Sequence, residues 1–211
     1  SPLPNCNLIL SKSKKFYLIA QKYKTKKLLL EKKIFLEQII EKKNLENFMN
    51  TLKGKKIIVD YKTLSIYNEN IIKSKFSIID KTDPCYLFKS KKNSIEIKNM
   101  IQSHIKDGVA LTKFIYWIKN LKNKITELDA EKKLEEFRKK DKNYLFPSFN
   151  TIAGTGSNGA IVHYRATNKT NKIIKKNDIF LCDSGGQYKY GTTDVTRTLC
   201  FAKQSKKIKD I

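Results

Sequence analysis

Three side chains in the last quarter of the sequence have types and spacing suited to metal and acid–base chemistry: His163, Asp183 and Asp194. Asp183 closes the apolar run Ile179-Phe180-Leu181-Cys182 and is followed by Ser184-Gly185-Gly186-Gln187-Tyr188. Asp194 follows within Gly191-Thr192-Thr193-Asp194-Val195-Thr196-Arg197-Thr198. Carboxylates at strand ends project from rigid backbone into a shared pocket, and all-oxygen donors of this kind suit hard divalent cations. A turn at Gly185-Gly186 would lay the strand 179–183 beside 194–199, with the hydroxyls of Thr192, Thr193, Thr196 and Thr198 placed to orient the ligands. Strand-end aspartates also cap turns, so the spacing by itself leaves both readings open. His163 stands in the strand-like run 160–164, where a histidine taken alone is more simply a structural side chain.

The elements that must carry these residues follow from periodicity. From Tyr144 onward the pattern is strand-like, and short strands are expected at 149–153, 160–164, 178–183 and 194–201 between Gly- and Asn-rich turns. Two helices come first. Asn93-Ser94-Ile95-Glu96 has capping-box spacing and opens a long helix with a stripe of Ile97, Met100, Ile101, His104, Ile105, Leu111, Ile115 and Ile118. His104 on that stripe reads as a packed, hydrogen-bonded side chain. Thr126 to Asp129 cap a second helix over about 127–140, with Leu128, Leu134 and Phe137 facing in.

Upstream lies a mixed α/β pattern: a hairpin from 7–10 and 16–20, and a Lys/Glu-rich stretch over 24–52 that is helical or hides a short strand at 34–36. A buried strand at 55–60, a polar helix at 62–73 and a strand at 76–79 complete it. The predicted class is α+β and α/β, with a mixed α/β domain over 1–88 and a second domain over 89–211 whose helices precede an antiparallel sheet.

One further motif is a decoy. Gly154-Thr155-Gly156-Ser157-Asn158-Gly159 matches the dinucleotide fingerprint by letter, but that site needs a helix after the glycines to hold the pyrophosphate. The following Ala160-Ile161-Val162-His163-Tyr164 reads as a strand, so the glycines mark a turn.

Charge is lopsided, with 44 Lys+Arg against 20 Asp+Glu giving a formal +24. Only Arg138, Arg165 and Arg197 are arginine. Nucleic-acid surfaces favour arginine forks and stacked aromatics, whereas here lysines are spread along the whole chain. We read them as solvated faces whose polyanion binding is weak and salt-sensitive, with no specific nucleic-acid partner. Cys6, Cys85, Cys182 and Cys200 form no metal-finger spacing and read as reduced thiols of a cytoplasmic protein. No apolar run is long enough for a membrane span.

The strings Asn158 to Tyr164, Asp183 to Tyr188 and Gly191 to Thr198 together resemble aminopeptidase P, the Xaa-Pro aminopeptidases of the pita-bread metallopeptidases. The resemblance implies a creatinase-N-like α/β middle lobe over 1–88, with Ser1-Pro2-Leu3-Pro4 at its start, and the first half of a pita-bread catalytic lobe over 89–211. It further implies that Asp183 binds one divalent ion and Asp194 bridges two, most suitably Mn²⁺, and that His163 binds substrate and helps manage its proton. The implied substrate is a peptide with proline in second position. Proline lacks an N–H and has a fixed φ, so general aminopeptidase sites fit it poorly.

The family uses five ligands (two Asp, one His and two Glu), and the residues after Asp194 include no His or Glu. The resemblance therefore implies a relative truncated at both ends, inactive by itself, completed by a second chain or a missing half, with a homodimer as a further expected assembly. Two rival functions are a non-catalytic pita-bread binding protein with a basic surface and a prolidase-like dipeptidase. The quoted strings are closer to aminopeptidase P than to prolidase.

Overall fold

The computed structural model describes residues 6–210, apart from the side chains of residues 207 and 209; Ser1-Pro2-Leu3-Pro4 lies outside them. The chain divides between Lys91 and Lys92 into two compact units.

In the first unit β1 (Asn7–Leu10) and β2 (Phe16–Ile19) form an antiparallel hairpin with Leu10 opposite Phe16. Its turn is closed by Lys14 N–H donating to the Ser11 carbonyl at 3.0 Å. After α1 (Lys26–Leu30), β3 (Ile39–Ile40) joins β2 in parallel. The alternative strand at 34–36 does not form: Ile34 is buried while Phe35 and Leu36 are exposed, and the Gln38 side chain binds the Phe35 N–H to start a 3-10 turn. Then come α2 (Leu45–Thr51), β4 (Lys56–Val59), α3 (Ile66–Lys73) and β5 (Ser77–Asp80), with β4 and β5 parallel as a crossover requires. Ile19, Leu45, Met49, Ile71, Ile72 and Phe76 form this unit's core. The helix α4 (Pro84–Ser90) starts on Asp83, whose carboxylate accepts from Cys85 N–H, with Pro84 in the first turn where its missing donor does no harm.

The second unit opens with α5 (Ser94–Lys119). Its capping box is complete, with Asn93 Oδ1 accepting from Glu96 N–H and Glu96 Oε2 from Asn93 N–H, both at 2.9 Å. The predicted apolar stripe holds only in the second half. Leu111 and Ile118 are buried, but Ile97, Ile101 and Ile105 are about half exposed, and the early buried positions are Ser103 and Asp107. The helix is rotated because Asp107 must reach a cationic partner inside the fold. His104 is exposed, its Nδ1 bonded to the Met100 carbonyl at 3.0 Å.

After α6 (Glu127–Arg138) come β6 (Tyr144–Pro147), β7 (Ile152–Thr155), β8 (Ile179–Ser184), β9 (Gly186–Tyr188), β10 (Gly191–Thr192) and β11 (Val195–Cys200), then the short α7 (Lys206–Lys209). All their pairings are antiparallel, in two three-stranded sheets ordered β11-β8-β7 and β10-β9-β6. The core is Phe114, Leu111 and Ile118 of α5, Ala130 and Leu134 of α6, and Ala153, Phe180, Cys182 and Leu199 of the first sheet. Phe114 and Phe180 are fully excluded from solvent, each contributing about 1.5–3 kcal/mol by burial.

The strand expected at 160–164 is absent. Residues Gly156–Ala160 form a 3-10 turn and 161–164 a tight turn in which His163 has φ +54°. Ile161 and Val162 face solvent, so their β propensity is overridden. The glycine-rich string is a turn even so. A Cβ on Gly154 would lie 2.9 Å from the Gly159 backbone, so the two chain segments touch where a side chain would separate them.

Candidate metal and catalytic site

Asp183 lies on the central strand of its sheet, which fixes its backbone on both sides. Ile152 of β7 is opposite it on one edge and Thr196 of β11 on the other. Burial along β8 alternates: Phe180, Cys182 and Ser184 point inward, while Asp183 is on the other, half-exposed face. Thr196 Oγ1 donates to Asp183 Oδ1 at 2.7 Å, and the second carboxylate oxygen makes no hydrogen bond among the described residues. Asp194 is exposed, one residue ahead of β11. Strand alternation continued by one residue would put Asp194 on the same face as Thr196.

The loop between β8 and β11 is held at its base. Ser148 Oγ donates to the Thr193 carbonyl at 2.8 Å, and Gly186 N–H donates to Thr193 Oγ1 at 2.8 Å. Gly185 is required there, since a Cβ would fall 2.0 Å from the Thr193 carbonyl oxygen and 2.2 Å from Ser148 Oγ.

Beneath Asp183, on the inner face, is a buried polar network. Arg138 Nε and Nη2 donate to Asp107 Oδ1 and Oδ2 at 2.7 and 3.1 Å, and Nη2 also donates to Ser184 Oγ at 3.0 Å. Tyr188 O–H donates to Asp107 Oδ1 at 2.9 Å. Burial, reinforced by the Asp107 carboxylate, pushes the Tyr188 phenol far above its ordinary range. Burial also raises the Cys182 thiol to about 11, which keeps it a protonated, unreactive core group.

His163 lies in the exposed turn 161–164, and its ring makes no hydrogen bond among the described residues. Tyr164 N–H closes that turn on the Ile161 carbonyl at 3.2 Å. Among the described residues no group of three or more His, Cys, Asp or Glu converges as a metal cage. The donor set at Asp183 and Asp194 is all-oxygen and fits a hard divalent ion as two of its ligands. Two cavities, about 210 Å³ beside Ser103 and Tyr188 and about 550 Å³ beside Thr155 and Lys172, include none of the three candidate residues in their walls.

Sequence reasoning missed Glu127, Asn158, Asp107 and Tyr188, all buried polar groups that tie the site's supports together. A signal existed for Arg138: it is one of three arginines in a chain that otherwise uses lysine, and only arginine offers a rigid fork.

The sequence pattern of metallopeptidase family M24 matches residues 98–211, more than half of the chain. The chain belongs to metallopeptidase family M24. Among its M24-type relatives, Xaa-Pro aminopeptidase ApepP of Drosophila melanogaster is 44% identical over 128 residues, 59% of this chain and 21% of that one. A probable Xaa-Pro aminopeptidase P of Paracoccidioides brasiliensis (strain Pb03) is 49% identical over 123 residues, 56% of this chain and 20% of its own. The chain thus spans about a fifth of the length of the curated relatives it matches.

Solved structures agree on the fold. The X-prolyl aminopeptidase of Caenorhabditis elegans, described as a cytosolic enzyme with a di-nuclear active site, has a TM-score of 0.81 at 24% identity, covering 98% of this chain and 35% of that one. The Xaa-Pro dipeptidase of Bacillus anthracis has a TM-score of 0.77 at 20% identity, covering 100% and 59%. These likenesses identify the mixed α/β architecture of the pita-bread metallopeptidases. No helix among the described residues is long and apolar enough to cross a membrane.

Proposed function

We propose that this chain forms part of an Xaa-Pro aminopeptidase, in which Asp183 and Asp194 each hold divalent metal and His163 engages the peptide whose second residue is proline. The observation that carries this reading is the β8–β11 register, with Thr196 opposite and bonded to Asp183 and Asp194 two residues ahead of Thr196. Aminopeptidase rather than dipeptidase is favoured by the 44–49% identity to Xaa-Pro aminopeptidases, since fold likeness extends to both.

The residues divide the work. Thr196 fixes one Asp183 oxygen and leaves the other turned outward for a cation. Asp194, unpaired among the described residues, offers both of its oxygens. Two divalent cations, of which Mn²⁺ suits carboxylate donors, would polarise the scissile carbonyl and activate water when bound. His163 projects from an exposed turn, where its imidazole can orient the substrate and exchange a proton with it. With no third ligand converging among the described residues, these 211 residues by themselves bind metal weakly and do not turn over substrate.

The test is a Mn²⁺ titration of the purified chain, reading the free ion by electron paramagnetic resonance. A weak site is expected that Asp183→Asn and Asp194→Asn each remove and that His163→Ala leaves intact. Equal binding by all four proteins would remove the metal assignment. Mn²⁺-dependent cleavage of an Xaa-Pro peptide by the 211 residues alone would overturn the proposal that they are inactive by themselves.

A further inference from the structure

The loop that carries His163 is organised by one buried carboxylate. Glu127, in the first turn of α6, is fully excluded from solvent. Its Oε1 accepts from Thr155 N–H at 2.8 Å and from Asn158 Nδ2 at 3.0 Å. Its Oε2 accepts from Tyr164 O–H at 2.8 Å, from Lys172 N–H at 3.1 Å and from Asn158 Nδ2 at 3.1 Å. The Glu127 N–H in turn donates to the Lys172 carbonyl at 3.0 Å. One side chain therefore grips the start, the middle and the end of the segment 155–172.

His163 is the position in that segment with the most to lose if the grip fails. It is the third residue of the turn 161–164, closed by Tyr164 N–H on the Ile161 carbonyl. Its φ is +54°, while Val162 is not among the positive-φ residues. This is the mark of a type II turn, whose third position favours Gly or Asn. A left-handed histidine persists only where its surroundings hold the chain in place. The next residue supplies the hold: Tyr164 is buried, and its hydroxyl donates to Glu127 at 2.8 Å, with the Thr170 carbonyl 3.1 Å away as the alternative acceptor.

We infer that Glu127, acting through Tyr164 and Asn158, is the positioning residue that holds the His163 turn in its left-handed, outward-facing form. This rests on the proposed role of His163 only for its catalytic meaning; the positioning itself is a property of the chain alone. All four partners of the carboxylate are donors, so both oxygens must accept. Glu127→Gln substitutes an NH₂ that faces a donor wherever it points.

The test uses the imidazole Hε1 signals in the NMR spectrum of the intact chain, which has one signal per histidine and His104 on α5 as internal control. In Glu127→Gln and in the milder Tyr164→Phe, the His163 signal is expected to shift or broaden while that of His104 stays. Amide exchange at Thr155 and Lys172 is expected to speed up about tenfold in Glu127→Gln, the equivalent of one buried hydrogen bond lost. If Glu127→Gln loses the His104 signal as well, the protein has unfolded and Tyr164→Phe decides. An unchanged His163 signal in Tyr164→Phe, or in a folded Glu127→Gln, would overturn the inference even if stability fell. A failure of the peptidase reading would appear instead in the Mn²⁺ titration and would leave these spectra as they are.

Discussion

Arg138 holds Asp107 by two parallel hydrogen bonds, 2.7 and 3.1 Å long, with neither side chain more than 2% exposed. The pair joins α5 to α6, and its third bond, to Ser184, places this lock directly beside Asp183 on β8. A support for the proposed metal site is therefore built from charges that the solvent never meets.

Breaking that pair should be costly. Arg138→Met leaves Asp107 buried with Tyr188 as its remaining donor, and a loss of about 3–5 kcal/mol is expected in urea unfolding. Combining it with Asp107→Leu should recover part of the loss, because the stranded charge is gone. A single variant within about 1 kcal/mol of the parent would show that the fork contributes little to stability.

Tyr144 has the opposite problem. Its hydroxyl oxygen is buried and has no hydrogen-bond partner among the described residues. Tyr144→Phe should therefore stabilise the chain by about 1 kcal/mol, the desolvation cost of an orphaned hydroxyl.

The same residue sets an alkaline limit. Burial raises the Tyr144 phenol to about 12, and Tyr188 shifts in the same direction. A raised folded pKa leaves their contribution intact below the ordinary tyrosine value of about 10. Above it the unfolded chain releases the proton first, so stability falls as pH rises from about 10 through 12. Unfolding curves across that range should fall less steeply for Tyr144→Phe than for the parent; parallel curves would count against the shift.

At the base of the site loop, Gly185→Ala would force a methyl to within 2.0 Å of the Thr193 carbonyl oxygen. Backbone must move to admit it, and a loss of about 3 kcal/mol or more is expected in thermal or urea unfolding. A variant as stable as the parent would mean that the Ser148–Thr193 contact is not the fixed point described above.

Thr196→Val is the finer probe. It removes the hydroxyl that bonds Asp183 Oδ1 on an exposed strand face, so stability should change by less than about 0.5 kcal/mol. Mn²⁺ affinity should fall about tenfold or more, the usual effect of losing a ligand's orienting partner. Unchanged affinity would mean that Asp183 is oriented by the sheet alone.

Much of the scaffold was legible. The capping box at Asn93, the helix cap at Thr126, the pairing of 179–183 with 194–199 and the hairpin at residues 7–19 are local patterns that recur as built. The run at 160–164 misled because a short apolar run can also stand in an exposed turn once its polar neighbours are claimed elsewhere. Asn158 and Tyr164 spend their hydrogen bonds on Glu127, thirty-odd residues upstream, which no local window contains. The stripe on α5 misled for a similar reason: Asp107 pairs with Arg138 on the next helix, and that single contact turns three isoleucines toward solvent.

By itself, the sequence determined the helices α5 and α6, the pairing of 179–183 with 194–199, the spacing of Asp183 and Asp194, and through their motifs the metallopeptidase family. These follow from short-range rules: capping, alternation and turn chemistry act over a few residues. Only the tertiary structure decided which face of each element is buried, what conformation His163 adopts and which charges stand behind the site. Those outcomes depend on pairing buried donors with buried acceptors far apart in the chain. Leaving one unpaired costs about as much as several local preferences combined.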